Sequence, residues 1–392
     1  MKAAYVTIGR DPFAYQMLLT LRRYQPDVAL KLIYLPDDGL SDPAAVRFRR
    51  VDSDNPVLHQ QEMYVAATPG ADEGRTWSIV ELLAGCPRVF FQSLHQWNAP
   101  TYLHCREHGV FTREPMFVMM DDEIDRLSMR ARYHAQGHDL AQLDAAVGHT
   151  SAVDEAYRHA TEFVISRAPF GDELERILGR KLVIHDVVVP IVFPTPEKTA
   201  QETWHAVPGA VREPAFRLGC YTKPRKLEFW NAGFVPFLQA QRTLPAAMEL
   251  TLFGTDALAN AVRGHVSARG VADVRVNAIS GNLPLRAYLA LIEDFDALLY
   301  QHRSGLSALK HAVRHHVALL HEAPLQMNGV DFDNFNHILF EAYGIRSFGS
   351  IEELRDLRAS GELDYVLAQN KLNLDIQETR AAAFYLSQFK AH

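Results

Sequence analysis

Residues 121 to 125 read Asp-Asp-Glu-Ile-Asp and follow directly on Pro115–Met120, a run that is apolar throughout. Three consecutive carboxylates at the end of a buried strand cannot all be buried. Holding like charges together raises the pKa of at least one of them. Asp121, Asp122 or Glu123 so poised would suit a general base taking a proton from a hydroxyl, and Asp122, farther past the strand end than Asp121, has the freer reach. The same residues would also serve as an acidic N-terminus for a helix over Arg126–Tyr133, where they satisfy N–H groups and the helix dipole. A second group, Arg303-Ser304-Gly305, lies between an apolar run (Ala297–His302) and a helical pattern. There the helix amides and the arginine favour an anion, and Gly305 lets a ligand approach the backbone; a plain helix cap would need only Ser304. A third, Tyr221-Thr222-Lys223-Pro224-Arg225-Lys226, follows the run Phe216–Tyr221. Its three cations, Lys223, Arg225 and Lys226, could neutralise a leaving phosphate or form a solvated loop.

The elements that would position these groups alternate. Ala3–Ile8, Val28–Leu35, Arg88–Leu94, Pro115–Met120, Glu162–Arg167 and Leu182–Val189 read as buried strands. Helical spacing falls between them at Pro12–Tyr24, Thr76–Leu83, Thr101–His108 and Asp172–Leu178. Strands apolar on both faces that alternate with helices imply a parallel sheet, with ligands beyond the carboxyl ends of the strands. Gly9-Arg10 closes the first strand in such a position.

From Pro190 to Pro214 five prolines stand among polar residues, so the segment cannot continue a sheet interior and reads as an interdomain connection. The same grammar then restarts with strands at Phe216–Tyr221, Glu249–Gly254, Val274–Ala278, Ala297–His302 and Val317–Glu322. Leu227–Gln241 (kinked at Pro236), Asp256–Ser267 and Leu285 onward read as helices, Ser350–Ala359 as a capped helix and Asp375–Phe389 as a long apolar-striped one. The expected division is 1–195, 215–374 and a closing helix, 375–392, that crosses back to the first domain.

Composition narrows the class. With 392 residues the chain exceeds one ordinary core. A hydrophobic content of 48% with 22% charged residues fits a soluble globular protein. The net charge of −7 argues against a nucleic-acid binder. No apolar run is long enough to span a bilayer, and MKAAYVTIGRDPF lacks a signal-peptide pattern, so a cytoplasmic protein is expected. Cys86, Cys105 and Cys220 form neither a disulfide framework nor a zinc pattern. His311 and His315 stand i,i+4 beside Lys310, Arg314 and His316, but no third ligand is evident nearby. In a chain with 18 histidines this stretch reads as an exposed helical face, and no metal is expected.

Two Rossmann-like halves closed by a C-terminal helix resemble the GT-B glycosyltransferases and their relatives, whose domains face each other across a ligand-binding cleft. A more particular likeness is to the bacterial fucosaminyltransferase family of enterobacterial common antigen synthesis. Ser304-Gly305-Leu306-Ser307-Ala308-Leu309 is similar to that family's Gly-Ile-Gly-Thr-Leu turn, and Ala287-Tyr288-Leu289-Ala290-Leu291 to its Ala-Tyr-Leu-Ala-Leu helix. Val89-Phe90-Phe91 with Asn98-Ala99-Pro100 resembles its Phe-Phe, Asn-Pro segment, and the strand before Asp121-Asp122-Glu123 falls where the family has one leading into Gly-Ala-Asp. Some bacterial sialyltransferases of the same fold have a similar Asp-Asp-Gly there. Asp121-Asp122 departs from Gly-Ala, so the donor sugar and acceptor do not carry over.

The resemblance implies a transferase with no cofactor. Its nucleotide-sugar donor (UDP-, dTDP-, GDP- or CMP-linked) would lie on the second half, against Tyr221, Lys223, Arg225, Lys226, Gly254, Thr255, Arg303, Ser304, Gly305, Leu306, Ser307 and Glu322. A glycan, lipid-linked or protein acceptor would lie on the first half, beside Gly9 and Arg10. Surface-glycan or lipid-linked oligosaccharide assembly implies peripheral association with the inner face of the membrane. Two Asp-X-Asp strings, Asp294-Phe295-Asp296 and Asp331-Phe332-Asp333, fall too late for the metal motif of the other major glycosyltransferase fold, although Asp333 and Asn334 could meet donor hydroxyls. A nucleotide-sugar 2-epimerase and a non-catalytic sugar-nucleotide-binding subunit are the alternatives on this fold; a phosphorylase would need a much longer chain.

Overall fold

The computed structural model describes residues 2–9, 12–36, 42–68, 74–119, 121–187, 189, 215–221, 234–245, 247–253, 256–268, 273–279, 283–300, 306–322, 325–327 and 330–389. The chain divides into two compact units, Met1–Val192 with Gln377–His392, and Phe193–Ile376.

Unit 1 opens with β1 (Ala4–Ile8), α1 (Pro12–Tyr24) and β2 (Lys31–Leu35). It continues through β3 (Phe48–Val51), β4 (Glu62–Ala66), β5 (Thr76–Trp77), α2 (Ile79–Leu83), β6 (Val89–Gln92), α3 (Ala99–Glu107) and β7 (Met116–Val118). Then follow α4 (Asp121–Ala135), α5 (Ala141–Val147), α6 (Ser151–His159), β8 (Glu162–Val164), α7 (Asp172–Leu178) and β9 (Val183–His185). The strands lie in the order β5-β3-β4-β2-β1-β6-β7-β8-β9. From β4 to β9 every pairing is parallel, with Val6 opposite both Ile33 and Phe91. Residues 89–92 and 116–118 are buried on both faces, as covered parallel strands require.

Two local expectations are corrected here. Thr76 and Trp77 do not begin a helix: they pair antiparallel with β3, where Trp77 meets Tyr64 edge-on at 5.5 Å. The helix starts after Ser78, whose hydroxyl accepts from Glu81 N–H (3.2 Å) while the Glu81 carboxylate accepts from Ser78 N–H (2.6 Å). The βαβ pattern is therefore interrupted by an antiparallel edge, β3 and β5. Secondly, Asp121-Asp122-Glu123 is no turn ahead of a helix at Arg126; it is the first turn of α4 itself.

Unit 2 holds β10 (Phe216–Tyr221), α8 (Phe234–Ala240), β11 (Ala247–Phe253), α9 (Asp256–Ala268), β12 (Asp273–Ile279), α10 (Leu285–Glu293) and β13 (Ala297–Tyr300). After these come α11 (Leu306–Arg314), β14 (Ala318–His321), β15 (Leu325–Met327), β16 (Val330–Phe332), α12 (Phe335–Ala342) and α13 (Ile351–Ser360). Its main sheet runs β12-β11-β10-β13-β14, parallel throughout. Gly219, in the central strand, lies against the Phe295 ring so closely that a Cβ there would stand 2.2 Å from it.

The last helix, α14 (Leu363–Phe389), is 27 residues long and begins well before Asp375, because Gly361 (φ 76) has already ended α13. Its early residues Leu363 and Leu367 belong to the core of unit 2. Ala382, Tyr385 and Phe389 belong to that of unit 1, with Phe389 edge-on to Phe90 at 5.0 Å.

Candidate functional sites

Numbered along the parallel strands, both sheets have the order 3-2-1-4-5, with unit 1 continued by β8 and β9. Such sheets reverse direction between strands 1 and 4, and the carboxyl ends there form the ligand crevice. The switch points are β1/β6 in unit 1 and β10/β13 in unit 2.

In unit 1 a polar network bridges the switch. Gln92 Oε1 accepts from Thr7 Oγ1 at 3.0 Å and from Tyr5 OH at 3.4 Å. The next residue, Ser93, has φ 68, a left-handed backbone costing a non-glycine residue roughly 1–2 kcal/mol. Asn98 holds it there: its Nδ2 donates to the carbonyls of Gln92 (2.8 Å) and Ser93 (2.9 Å), and its Oδ1 accepts from His95 N–H (3.0 Å). The bend directs the Ser93 hydroxyl to Glu123, to which it donates. His95 is pushed down to about 4, chiefly by burial, so its imidazole is neutral at neutral pH. Tyr157 OH donates to the Leu94 carbonyl (3.1 Å) and fixes the loop from the far side.

Among the described side chains of the acidic string, Glu123 is thus engaged with the switch point. Asp121 and Asp122 are placed by backbone in the first turn of α4, and their side chains lie outside the described residues. Gly9, with φ 49, lies in the wall of an open depression of about 330 Å³ beyond the ends of β1, β2 and β4. The rest of its lining is Tyr34, Leu35, Pro36, Met63, Val65 and Ala66, an apolar surface. Arg10 lies outside the described residues.

In unit 2 Tyr221 closes β10, and Leu306 and Ser307 open α11. Lys223, Arg225, Lys226, Gly254, Thr255, Arg303, Ser304 and Gly305 lie outside the described residues. Glu322 follows β14 and is buried, and its carbonyl accepts from Asn334 Nδ2 at 3.1 Å. Asn334 also caps α12, its Oδ1 accepting from His337 N–H at 3.0 Å, so that side chain serves the backbone. Asp296 is likewise structural: it accepts from Arg217 N–H (2.8 Å) and from Arg358 (2.9 Å).

Beside Glu322 stands a group that the sequence did not single out. Tyr300, the last residue of β13, donates to Ser347 Oγ at 3.1 Å. The Nδ1 atoms of His321 and His337 meet the same oxygen at 2.9 and 3.1 Å, and their rings stack at 3.9 Å. A hydroxyl has one proton and two lone pairs. With Tyr300 donating, one imidazole must donate and the other must accept. The two Nδ1 atoms therefore play opposite roles at this oxygen. His321 is held near 4 by burial and by the facing His337, so its imidazole is a neutral hydrogen-bonding group at neutral pH. Ser93, His95, His321 and His337 each directly follow or end an apolar strand, or sit in the adjoining loop or helix. The signal available was a polar residue immediately past a buried strand.

The histidines of α11 require a further correction. The face read as exposed is so only in part: His316 is exposed and Arg314 and His315 are half-buried, but Lys310 and His311 are buried, and Glu293, at the end of α10, supplies the third group missing from the sequence reading. Local spacing could not show this, because the carboxylate comes from another helix.

No family model matches the sequence, and no curated protein matches it. The fucosaminyltransferase likeness therefore rests on its short motifs. Solved structures do match. The chain is similar to HepE from Anabaena, crystallised with UDP and glucose, at 11% identity and a TM-score of 0.54, over 99% of this chain and 100% of that one. HepE in complex with UDP-glucose gives 11% identity and 0.52 over the same shares. The N-terminal domain of Candida albicans trehalose-6-phosphate phosphatase gives 8% and 0.55, over 99% of this chain and 96% of that one. The fold is GT-B: two Rossmann-like units in one chain.

Proposed function

We propose that the protein is a glycosyltransferase that moves a sugar from a nucleotide-linked donor to an acceptor hydroxyl. The observation that carries this is the end-to-end likeness to HepE, which binds UDP and UDP-glucose in its crystals. A Rossmann order in each unit, a topology in which ligands bind beyond the carboxyl ends of the strands at the switch point, supports it.

In this reading unit 2 holds the nucleotide. Arg303, the Ser304-Gly305 amides at the start of α11 and the cations Lys223, Arg225 and Lys226 carry the diphosphate, while Tyr221, Gly254, Thr255, Leu306, Ser307 and Glu322 frame the rest. Unit 1 holds the acceptor near Gly9 and Arg10. A carboxylate of the first turn of α4, Asp122 or Asp121 ahead of Glu123, takes the hydroxyl proton. The acceptor oxygen then bonds to the sugar's anomeric carbon as the bond from that carbon to phosphate oxygen breaks, and the electron pair leaves with the nucleotide, a nucleoside diphosphate or, from a CMP-sugar, the monophosphate. Electrostatic stabilisation of that leaving charge is the main task of the basic groups. Bacterial surface-glycan or lipid-linked oligosaccharide synthesis, on the cytoplasmic side and peripheral to the membrane, is the setting that the short motifs favour. Among the described residues no helix is long and apolar enough to cross a membrane.

Thermal melting with UDP-, dTDP-, GDP- and CMP-sugars tests the proposal. A ligand at about 100 times its Kd adds roughly 2.7 kcal/mol of stability, and a uridine donor is expected to give the shift. No shift with any of the four would remove the nucleotide-sugar assignment. Conversion of a nucleotide sugar with no acceptor present would replace the transferase by an epimerase.

A further inference from the structure

We propose that Glu293, His311 and His315 form a binding site for one divalent transition metal ion, zinc by the chemistry of the donors, which fastens the end of α10 to the end of α11. Among the described residues these three offer ligand atoms that all lie within 4.8 Å of one another. His311 Nε2 stands 2.9 Å and His315 Nε2 3.6 Å from the same Glu293 oxygen. Zinc–nitrogen and zinc–oxygen bonds of about 2.0–2.2 Å put tetrahedral ligands somewhat over ~3 Å apart, so the spacing needs only small side-chain adjustments. Two imidazoles and one carboxylate are a borderline-soft set suited to zinc rather than to calcium or magnesium.

Two further features point to a cation. Glu293 is the last residue of α10, while His311 lies in the last turn of α11 and His315 just past its end. Two helix C-termini, the negative ends of their dipoles, thus converge on the cluster. His311 is buried, and its ring also bonds the backbone at Leu289, the kind of outer contact that orients a metal-binding imidazole. His315 and Glu293 are each 30% exposed, which gives an ion a route in from solvent. Opposing the charge are Arg314, His316 and Lys371, which act on His315.

The site is independent of the donor reading, and its test uses zinc alone. The full-length chain, freed of metal with a chelator, is titrated calorimetrically with zinc chloride. One ion per chain is expected. Glu293→Gln and His315→Ala should each weaken binding by more than ~100-fold, since even groups behind the ligands are worth ~10–100-fold. His315 is partly exposed, so its variant should fold, as circular dichroism would verify. Lys371→Met should tighten binding by removing a repelling charge. Cobalt(II) should give the visible bands of a four-coordinate nitrogen–oxygen site in the parent chain and lose them in both ligand variants. No zinc uptake would overturn the proposal. So would equal uptake by parent and variants, which would place the ion elsewhere among the 18 histidines.

Discussion

In unit 1 the chain passes the switch point through Gln92 and a strained Ser93 that donates to a carboxylate, Glu123. At the matching edge of unit 2 stand a tyrosine, a serine and two stacked imidazoles, Tyr300, Ser347, His321 and His337, hydrogen-bonded through one serine oxygen. The two sheets share a strand order, so backbone topology is not what distinguishes them. The difference lies in the side chains: the first edge pairs a hydroxyl with a carboxylate, while the second gathers two hydroxyls and two imidazoles around one oxygen. The proposed function asks the first unit to activate a hydroxyl and the second to retain a leaving nucleotide, and the variants below test whether the side chains divide in that way.

The sharpest way to break this contrast is at the acids. Asp122→Asn or Asp121→Asn should lower turnover by ~10²–10⁴-fold, the usual worth of a general base, and leave nucleotide affinity nearly unchanged. If the first turn of α4 serves only its helix, the same variants will instead lose about 1 kcal/mol of stability and keep normal turnover in the folded fraction. Melting temperature and turnover measured on the same preparations separate the two.

Acid should separate the units by stability. His95 in unit 1 and His311 and His321 in unit 2 are each held near 4 by burial, against an ordinary value near 6.5. Between those values the unfolded chain binds a proton that the folded chain refuses. Each group's contribution is therefore intact above about pH 6.5 and is lost as pH falls toward 4, by up to about 1.4 kcal/mol per pH unit. Burial lowers His315 as well, so among the described residues unit 2 carries three such histidines against one in unit 1, and hydrogen exchange in the metal-free protein should show its strands opening first on acidification. Simultaneous opening, or a flat profile, would contradict the assignment.

Arg303→Ala should weaken the nucleotide sugar and the free nucleoside diphosphate alike, by roughly tenfold or more, because a charge-assisted hydrogen bond is worth ~1.5–3 kcal/mol. Calorimetry with the diphosphate alone checks this, and unchanged affinity would remove Arg303 from the anion site.

How far these sites were legible follows from the range of the interactions. Periodicity is local, so β1, α1, α7 and β10, whose residues alternate or recur within a few positions, could be read from the chain with little error. The antiparallel edge could not: β3 is Phe-Arg-Arg-Val and β5 is two residues long, too short for a pattern, and both exist because they pair with a distant neighbour. The same holds for the sites. The acidic string announces itself by composition, but its helical start depends on where the strand before it ends. The pairing of Ser93 with Glu123, of Glu293 with His311, and of His321 with His337 spans 30, 18 and 16 positions, and no spacing rule connects them.

The smallest effects test whether the cores, rather than the sites, differ as described, and two glycines of unit 2 give opposite signs. At Gly219 an added methyl would stand 2.2 Å from the Phe295 ring, which is itself packed edge-on to Phe253 at 6.3 Å. The ring cannot retreat without disturbing its neighbour, so Gly219→Ala should cost ~1–3 kcal/mol, as overpacking of a core does. Gly264 lies within α9, is exposed, and has nothing within 4 Å of the position a Cβ would take. Its φ lies outside the left-handed range, so Gly264→Ala should stabilise by about 0.4–1 kcal/mol through the lost freedom of the unfolded chain. Melting of both variants against the parent reads the pair. If Gly219→Ala melts no lower than the parent, Phe295 is not the wall that keeps the central strand of unit 2 bare, and the close approach of α10's following loop to β10 would have to be redrawn.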